Sequence, residues 1–237
     1  MIKYIDNFLN KITMYKVVLY GLQILTVISI ILGFANVISY SGLSLLSSAL
    51  VLTVVCYSSN YLLARIFNVQ ENAESSSITA FILFFVLGPI SSLSDIKIFI
   101  LVGILAMASK YVLAIGKKHV FNPVAVSVFI AGVFGSGVAY WWIGTSVLLI
   151  PTAILGFLIL RKIKRFQMFA SFIVSAVISI AIVSFNQDFN ILESLKLAFL
   201  SGPLLFFGAI MFTEPFTTPP KKNLQIIYGL IVGVLYG

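Results

Sequence analysis

Two short motifs hold the residues with chemical capacity in this 237-residue chain. Phe121–Asn122–Pro123 sets an aromatic face, an amide and a helix-starting proline side by side. An amide donates and accepts hydrogen bonds at once, so Asn122 suits a flat heteroaromatic ligand whose edge carries both functions. The motif equally suits plain helix-start chemistry, with Asn as the cap and Pro in the first turn. Thr213–Glu214–Pro215 closes an apolar run that opens on Ser201, Gly202 and Pro203. A carboxylate there costs free energy unless it reaches water, a partner or a ligand. Glu214 is therefore either a snorkelling terminal acid or a site residue, and it is the candidate acid on an ion path. Lys117, Lys118, Lys221 and Lys222 flank the motifs. They draw phosphates or an acidic partner to the rim, or they serve only as topology signals.

The elements that position these motifs follow from composition. The chain is 60% hydrophobic and 9% charged, against about 25% charged in a soluble domain. This predicts an all-α polytopic membrane protein embedded in the lipid bilayer. The net charge of +8 then concerns which side the loops face, not nucleic acid. The first apolar run is too long for a signal-peptide core and lacks a cleavage site, so it stays in the mature protein. One cysteine, Cys56, and one histidine, His119, exclude an intramolecular disulfide, a four-thiolate cluster and bis-histidine haem ligation within this chain. No metal-spaced ligand set and no soluble-enzyme motif is present. An electron carrier here would be organic: a flavin or a quinone.

Nine apolar runs are expected to be helical, at roughly 15–35, 43–64, 78–92, 97–115, 121–135, 144–160, 166–185, 197–213 and 224–237. If each crosses once, all of the 15 Lys and Arg except Lys97 and Lys196 fall on one side. That bias predicts a cytoplasmic N-terminus in the cell (inner) membrane, with both motifs facing the cytoplasm. The runs 78–92, 121–135 and 197–213 are shorter than a straight span, and such segments often mark broken helices at a binding site. Residues 1–14 read as a cytoplasmic amphipathic segment, and 15–237 as the membrane domain. Trp141 and Trp142 read as interfacial aromatics, Lys110 as a snorkelling lysine, and Asp95, Asp188 and Glu193 as solvated outer acids. Arg161 to Arg165, RKIKR, reads as a loop serving topology and lipid headgroups. The chain stops at Gly237 inside its ninth run, which predicts a tenth span and a soluble domain beyond it.

SITAFILFFVLGP, from Ser77, and SGPLLFFGAIMFTEP, from Ser201, match weakly. They are the third and eighth spans and run in opposite directions. That separation predicts an inverted repeat of five transmembrane helices each, the second truncated at the C-terminus.

Three stretches resemble one family, the flavin-carrying membrane subunits NqrB and RnfD of Na+-translocating NADH:quinone reductase and of Rnf complexes. They are SSSITAFILFFVLGPI, SKYVLAIGKKHVFNPVAVSV, and LSGPLLFFGAIMFTEPFTTPP followed by a YG-containing helix. FNP is the specific marker, and TEP stands where the family usually has T-D-P. The resemblance implies ten spans in two inverted halves, distantly similar to urea transporters. It also implies flavin binding and electron transfer coupled to Na+ or H+ movement, alongside other electron-transport subunits. Family members attach FMN to a threonine of an S-G-A-T-type motif in a long outer loop. The corresponding segment here, GSGVAYWWIGT, is short, and Thr145 lacks that context. The expectation is no covalent FMN, but a non-covalent flavin (riboflavin or FMN) near Phe121, Asn122, Pro123, Thr213, Glu214 and Pro215. A cytoplasmic flavin or NAD(P)H reductase, fused or separate, would be the electron partner. Two other readings stand beside this one: a small-solute or ion transporter on the same scaffold, and a structural anchor for a fused enzyme.

Overall fold

Each apolar run forms helix over most of its described length in the computed structural model, which describes residues 2–115, 118–134 and 139–237. Lys117, the side chain of Lys118 and positions 135–138 of the short loop lie outside the described residues. In chain order the elements are α1 (Ile2–Lys11), α2 (Met14–Phe34), α3 (Gly42–Ile66), α4 (Ala73–Val86) and α5 (Leu93–Val112). A two-residue hairpin follows, β1 (Ala114–Ile115) with β2 (Lys118–His119), then α6 (Pro123–Val133), α7 (Ser146–Ile163) and α8 (Phe166–Asn186). The last stretch is α9 (Ile191–Lys196), a π turn at Leu197–Ser201, α10 (Leu204–Phe206), a second π turn at Phe207–Met211, and α11 (Lys222–Tyr236). By length and composition α2, α3, α7 and α8 can each cross a membrane. The pair Ile191–Ser201 and Leu204–Met211, bent by 61°, forms a fifth span or a re-entrant loop. The protein is an all-α, multi-pass membrane protein.

The chain divides into two compact units, Tyr15–Trp142 and Met1–Met14 with Ile143–Gly237. In the first, α4 packs against α3, α5 and α6, and Ile82 to Leu87 are all buried. Asn72 caps α4 by accepting from the Ser75 amide at 3.0 Å. Gly88 and Pro89 stop it, because proline lacks an amide hydrogen and biases the preceding residue away from the helical region. The break leaves backbone groups that need partners, since no water serves them inside a bilayer. The Val86 carbonyl accepts from the amides of Tyr140 and Trp141 at 2.9 and 3.0 Å. The Phe84 carbonyl accepts from the Trp142 indole. The Ile90 amide donates to Ser48 Oγ at 2.8 Å, and the Ile90 carbonyl accepts from Ser44 Oγ.

Trp142 thus departs from the interfacial role expected of it. It is buried and meets Phe84 edge to face, with ring centroids 4.9 Å apart. Its indole N–H has a carbonyl to satisfy, which a lipid-facing position would not provide. Lys110 also departs from simple snorkelling: its ammonium donates to the Ser75 carbonyl and hydroxyl at 2.8 and 2.9 Å.

In the second unit α8 packs most closely against α11. Gly229 and Gly233 of α11 face Ser171 and Ser175 of α8, each pair one turn apart. A Cβ on Gly229 would lie 2.7 Å from the Met168 carbonyl, and one on Gly233 only 2.5 Å from that of Phe172. Small residues are what such an approach requires, and they are the usual means of helix association in lipid. Ser175 Oγ and Ser179 Oγ cross to the Gly229 and Val234 carbonyls at 3.3 and 2.9 Å. The amphipathic α1 joins this unit. Leu9 is buried, Asp6 pairs with Arg161, and Tyr4 and Phe8 stay exposed.

Candidate functional site

Phe121, Asn122 and Pro123 form the start of α6 in the first unit. Asn122 Oδ1 accepts from the amides of Val124 and Ala125 at 3.1 and 3.2 Å, and Pro123 occupies the first helical turn. The helix-start reading is therefore realised, and the amide oxygen is committed to it. Val124 is buried, whereas the Phe121 ring is 56% exposed. The motif presents an open aromatic face beside a capped helix N-terminus, where the macrodipole favours electron-rich groups.

Thr213, Glu214 and Pro215 lie in the second unit, just past the π turn at 207–211. Thr213 is fully buried and its hydroxyl donates to the Ala209 carbonyl at 2.8 Å. The Glu214 amide donates to the Met211 carbonyl at 3.2 Å, and the Glu214 carbonyl accepts from Thr218 Oγ1 at 2.6 Å. Thr218 in turn accepts from the guanidinium of Arg165. Gln225 Nε2 donates to the Pro219 and Pro220 carbonyls at 3.0 and 3.3 Å. The loop is thus tied to the start of α8 and to the first turn of α11, and its shape is fixed although it contains three prolines. The Glu214 carboxylate is half-buried and lies 3.5 Å from the Thr217 hydroxyl.

An aromatic array backs this loop. Phe212 stacks on Tyr228 with centroids 5.2 Å apart and planes 9° from parallel. Phe172 lies 4.9 Å from Phe212 and 5.7 Å from Tyr236, and Phe207 lies 5.9 Å from Tyr236. Offset aromatic contacts of this kind prefer centroid separations of about 4.5–7 Å.

The six expected site residues fall into two sets, each contiguous and ordered, one in each unit. Sequence reasoning missed Arg165 and Gln225. Arg165 belongs to RKIKR, which was expected to serve topology and headgroups, yet it is 8% exposed and reaches a residue 53 positions away. No local pattern marks it within that run. Gln225 does carry a signal, as an amide set in the apolar helix NLQIIY. Among the described residues no group of histidine, cysteine and carboxylate side chains could hold a metal ion.

Neither a curated protein nor a solved structure matches the chain. One family model does, over residues 106–237, more than half the chain and including both motifs. Its members are membrane subunits of Na+-NQR- and Rnf-type electron-transport complexes, assembled with other subunits. The chain, with a capped helix start at 121–123 and a tied loop at 213–220, belongs to the NQR2, RnfD, RnfE family.

Proposed function

We propose that this protein is a flavin-binding membrane redox subunit, coupled to Na+ or H+ movement, that exchanges electrons with a cytoplasmic flavin or NAD(P)H reductase. The observation that carries the reading is the family match across 106–237, which spans both motifs. Phe121, Asn122 and Pro123 fit a planar ring through the exposed aromatic face and the capped helix start. Thr213, Glu214 and Pro215 fit one through the carboxylate, an acceptor for a ring N–H, and the aromatic pair behind it. A bound flavin supplies one- and two-electron transfer. The chain's own contribution is to orient the ring, to exclude water around it, and at Glu214 to accept a proton. Attachment is non-covalent: Thr145 stands at the start of α7 outside any S-G-A-T context. The N-terminus and both motifs face the cytoplasm, in keeping with the sidedness of Lys and Arg. The weak match between SITAFILFFVLGP and SGPLLFFGAIMFTEP supports an internal repeat of five spans each. In keeping with that, α3 packs on α4 and α5, and α8 packs on α9 and α11.

Absorbance of the purified protein tests this. Yellow protein whose flavin is released by denaturation is expected, with weaker retention in Asn122→Ala and in Glu214→Gln. Colourless protein that shows no spectral shift with added riboflavin or FMN overturns the reading. The transporter alternative draws on the short α4 and the bent pair at 191–211, a pattern of substrate-binding spans. It predicts uptake of a small solute or ion into proteoliposomes that Glu214→Ala abolishes.

A further inference from the structure

A cavity of about 530 Å³ sits where α1 meets the junction of α7 and α8. Arg161, Lys162, Lys164 and Lys222 line it, with Asp6 as the one acid. Two of the cations are spoken for. Arg161 grips Asp6 through Nε and Nη2 at 2.7 and 2.8 Å, and Lys162 donates to the Leu9 carbonyl at 2.6 Å. Lys164 and Lys222 are exposed and make no hydrogen bond among the described residues, so the cavity carries uncompensated positive charge.

Two further observations say what compensates it. Lys164 ends α7 with φ 57° and ψ 42°, a left-handed cap where glycine is the usual residue. That cap sets the Lys164 side chain at the C-terminal end of α7, where it lines the cavity. The second is location. α7 and α8 are both of membrane-crossing length, so their two-residue junction lies at the bilayer surface. There α1 buries Leu9 and exposes Tyr4 and Phe8, as an interfacial helix does. Phe166, also exposed, lines the same cavity. A headgroup with its acyl chains alongside meets both the cations and these rings, which a free anion or an acidic protein would not.

We infer that this cavity binds the phosphate of an anionic phospholipid, with Lys164 and Lys222 as its direct cations and Arg161 held ready behind them by Asp6. The lipid fastens α1 to the α7–α8 junction. Basic pockets at the ends of membrane helices are suited to such headgroups, each exposed cation near an anionic bilayer contributing about 1 kcal/mol.

The test is lipid retention by the full chain in mild detergent, read by native mass spectrometry with added phosphatidylglycerol or phosphatidylcholine, and by thermal shift with inorganic phosphate. Phosphatidylglycerol is expected to bind about tenfold tighter than phosphatidylcholine or more. The preference should vanish in the pair Lys164→Gln with Lys222→Gln. Lys164→Gly serves where that pair fails to fold: it relieves the left-handed strain, so a folded protein with a reduced preference isolates the charge. Equal binding of the two lipids overturns the proposal. So does a preference that survives both variants, or inorganic phosphate that displaces the lipid at millimolar concentration and reveals a free-anion site. An acidic protein partner that binds equally well without lipid overturns it too.

Discussion

The two motifs differ in what holds them. Phe121–Asn122–Pro123 is shaped by its own neighbours: one side chain accepts from amides two and three residues on, and a proline sets the first turn. Thr213–Glu214–Pro215 is shaped at a distance, through Arg165 on one side and Gln225 on the other. A self-capped helix start survives changes elsewhere in the fold. A loop tied by a buried charge and a side-chain amide changes whenever those elements move. The second motif is therefore the one suited to report the state of its surroundings, and the first is the fixed reference.

Four measurements break or sharpen that contrast. The largest effect belongs to Gly233→Leu, which drives a side chain into the Phe172 carbonyl and pries α11 from α8. A loss of about 3 kcal/mol is expected, at the upper end for overpacking. Protease sensitivity should rise in the 213–220 loop and not at 121–123. Thr218→Val comes next. It strands the buried Arg165 guanidinium, at a cost of about 2–3 kcal/mol for a lost hydrogen bond to a charged group. Adding Arg165→Met should recover much of that loss, because the charge is then gone; a double variant worse than the single would deny the tie. Asn122→Ala removes the α6 cap and should cost about 1 kcal/mol of stability, with Asn122→Asp close to wild type.

The smallest effect concerns α1 and should leave both motifs alone. The hydrogen bond from Arg161, helped by the Arg161 and Lys164 charges, outweighs burial and holds the Asp6 carboxyl below its ordinary value of 3.8. A depressed carboxylate pKa contributes docking that is fully present above that ordinary value and is lost as pH falls through the folded one. Release of α1, read by fluorescence of a probe placed at Tyr4, is expected only in that acid range. Release that begins near neutral pH would contradict the pairing.

Much of the local structure was legible without coordinates. The runs that became helices, the shortness of the segments near 78–92, 121–135 and 197–213, and the cap at Asn122 all follow from local backbone rules. Helix ends were less legible. Only a few spans reach full crossing length, and the run at 197–213 is kinked at Gly202–Pro203 instead of continuous. Which face of each helix lies inside could not be read at all. Leu22 is buried and Ile24 exposed in α2, and Leu45 is buried and Leu43 exposed in α3, although all four are aliphatic. Lipid tails are as apolar as leucine, so buried and lipid-facing sides share a composition and periodicity carries little signal.

By itself, the sequence determined that this is a helical, multi-pass membrane protein of the NQR2, RnfD, RnfE family, which of its apolar runs are short, and which residue caps α6. Only the tertiary structure decided that Trp142 seals the end of α4, that glycines and serines pair α11 with α8, and that Arg165 reaches into the 213–220 loop. The physical reason is one of range. Backbone stops and caps are settled within a turn of chain. The partners of a buried indole or guanidinium lie 53 to 58 residues away, and nothing in the intervening sequence records the approach.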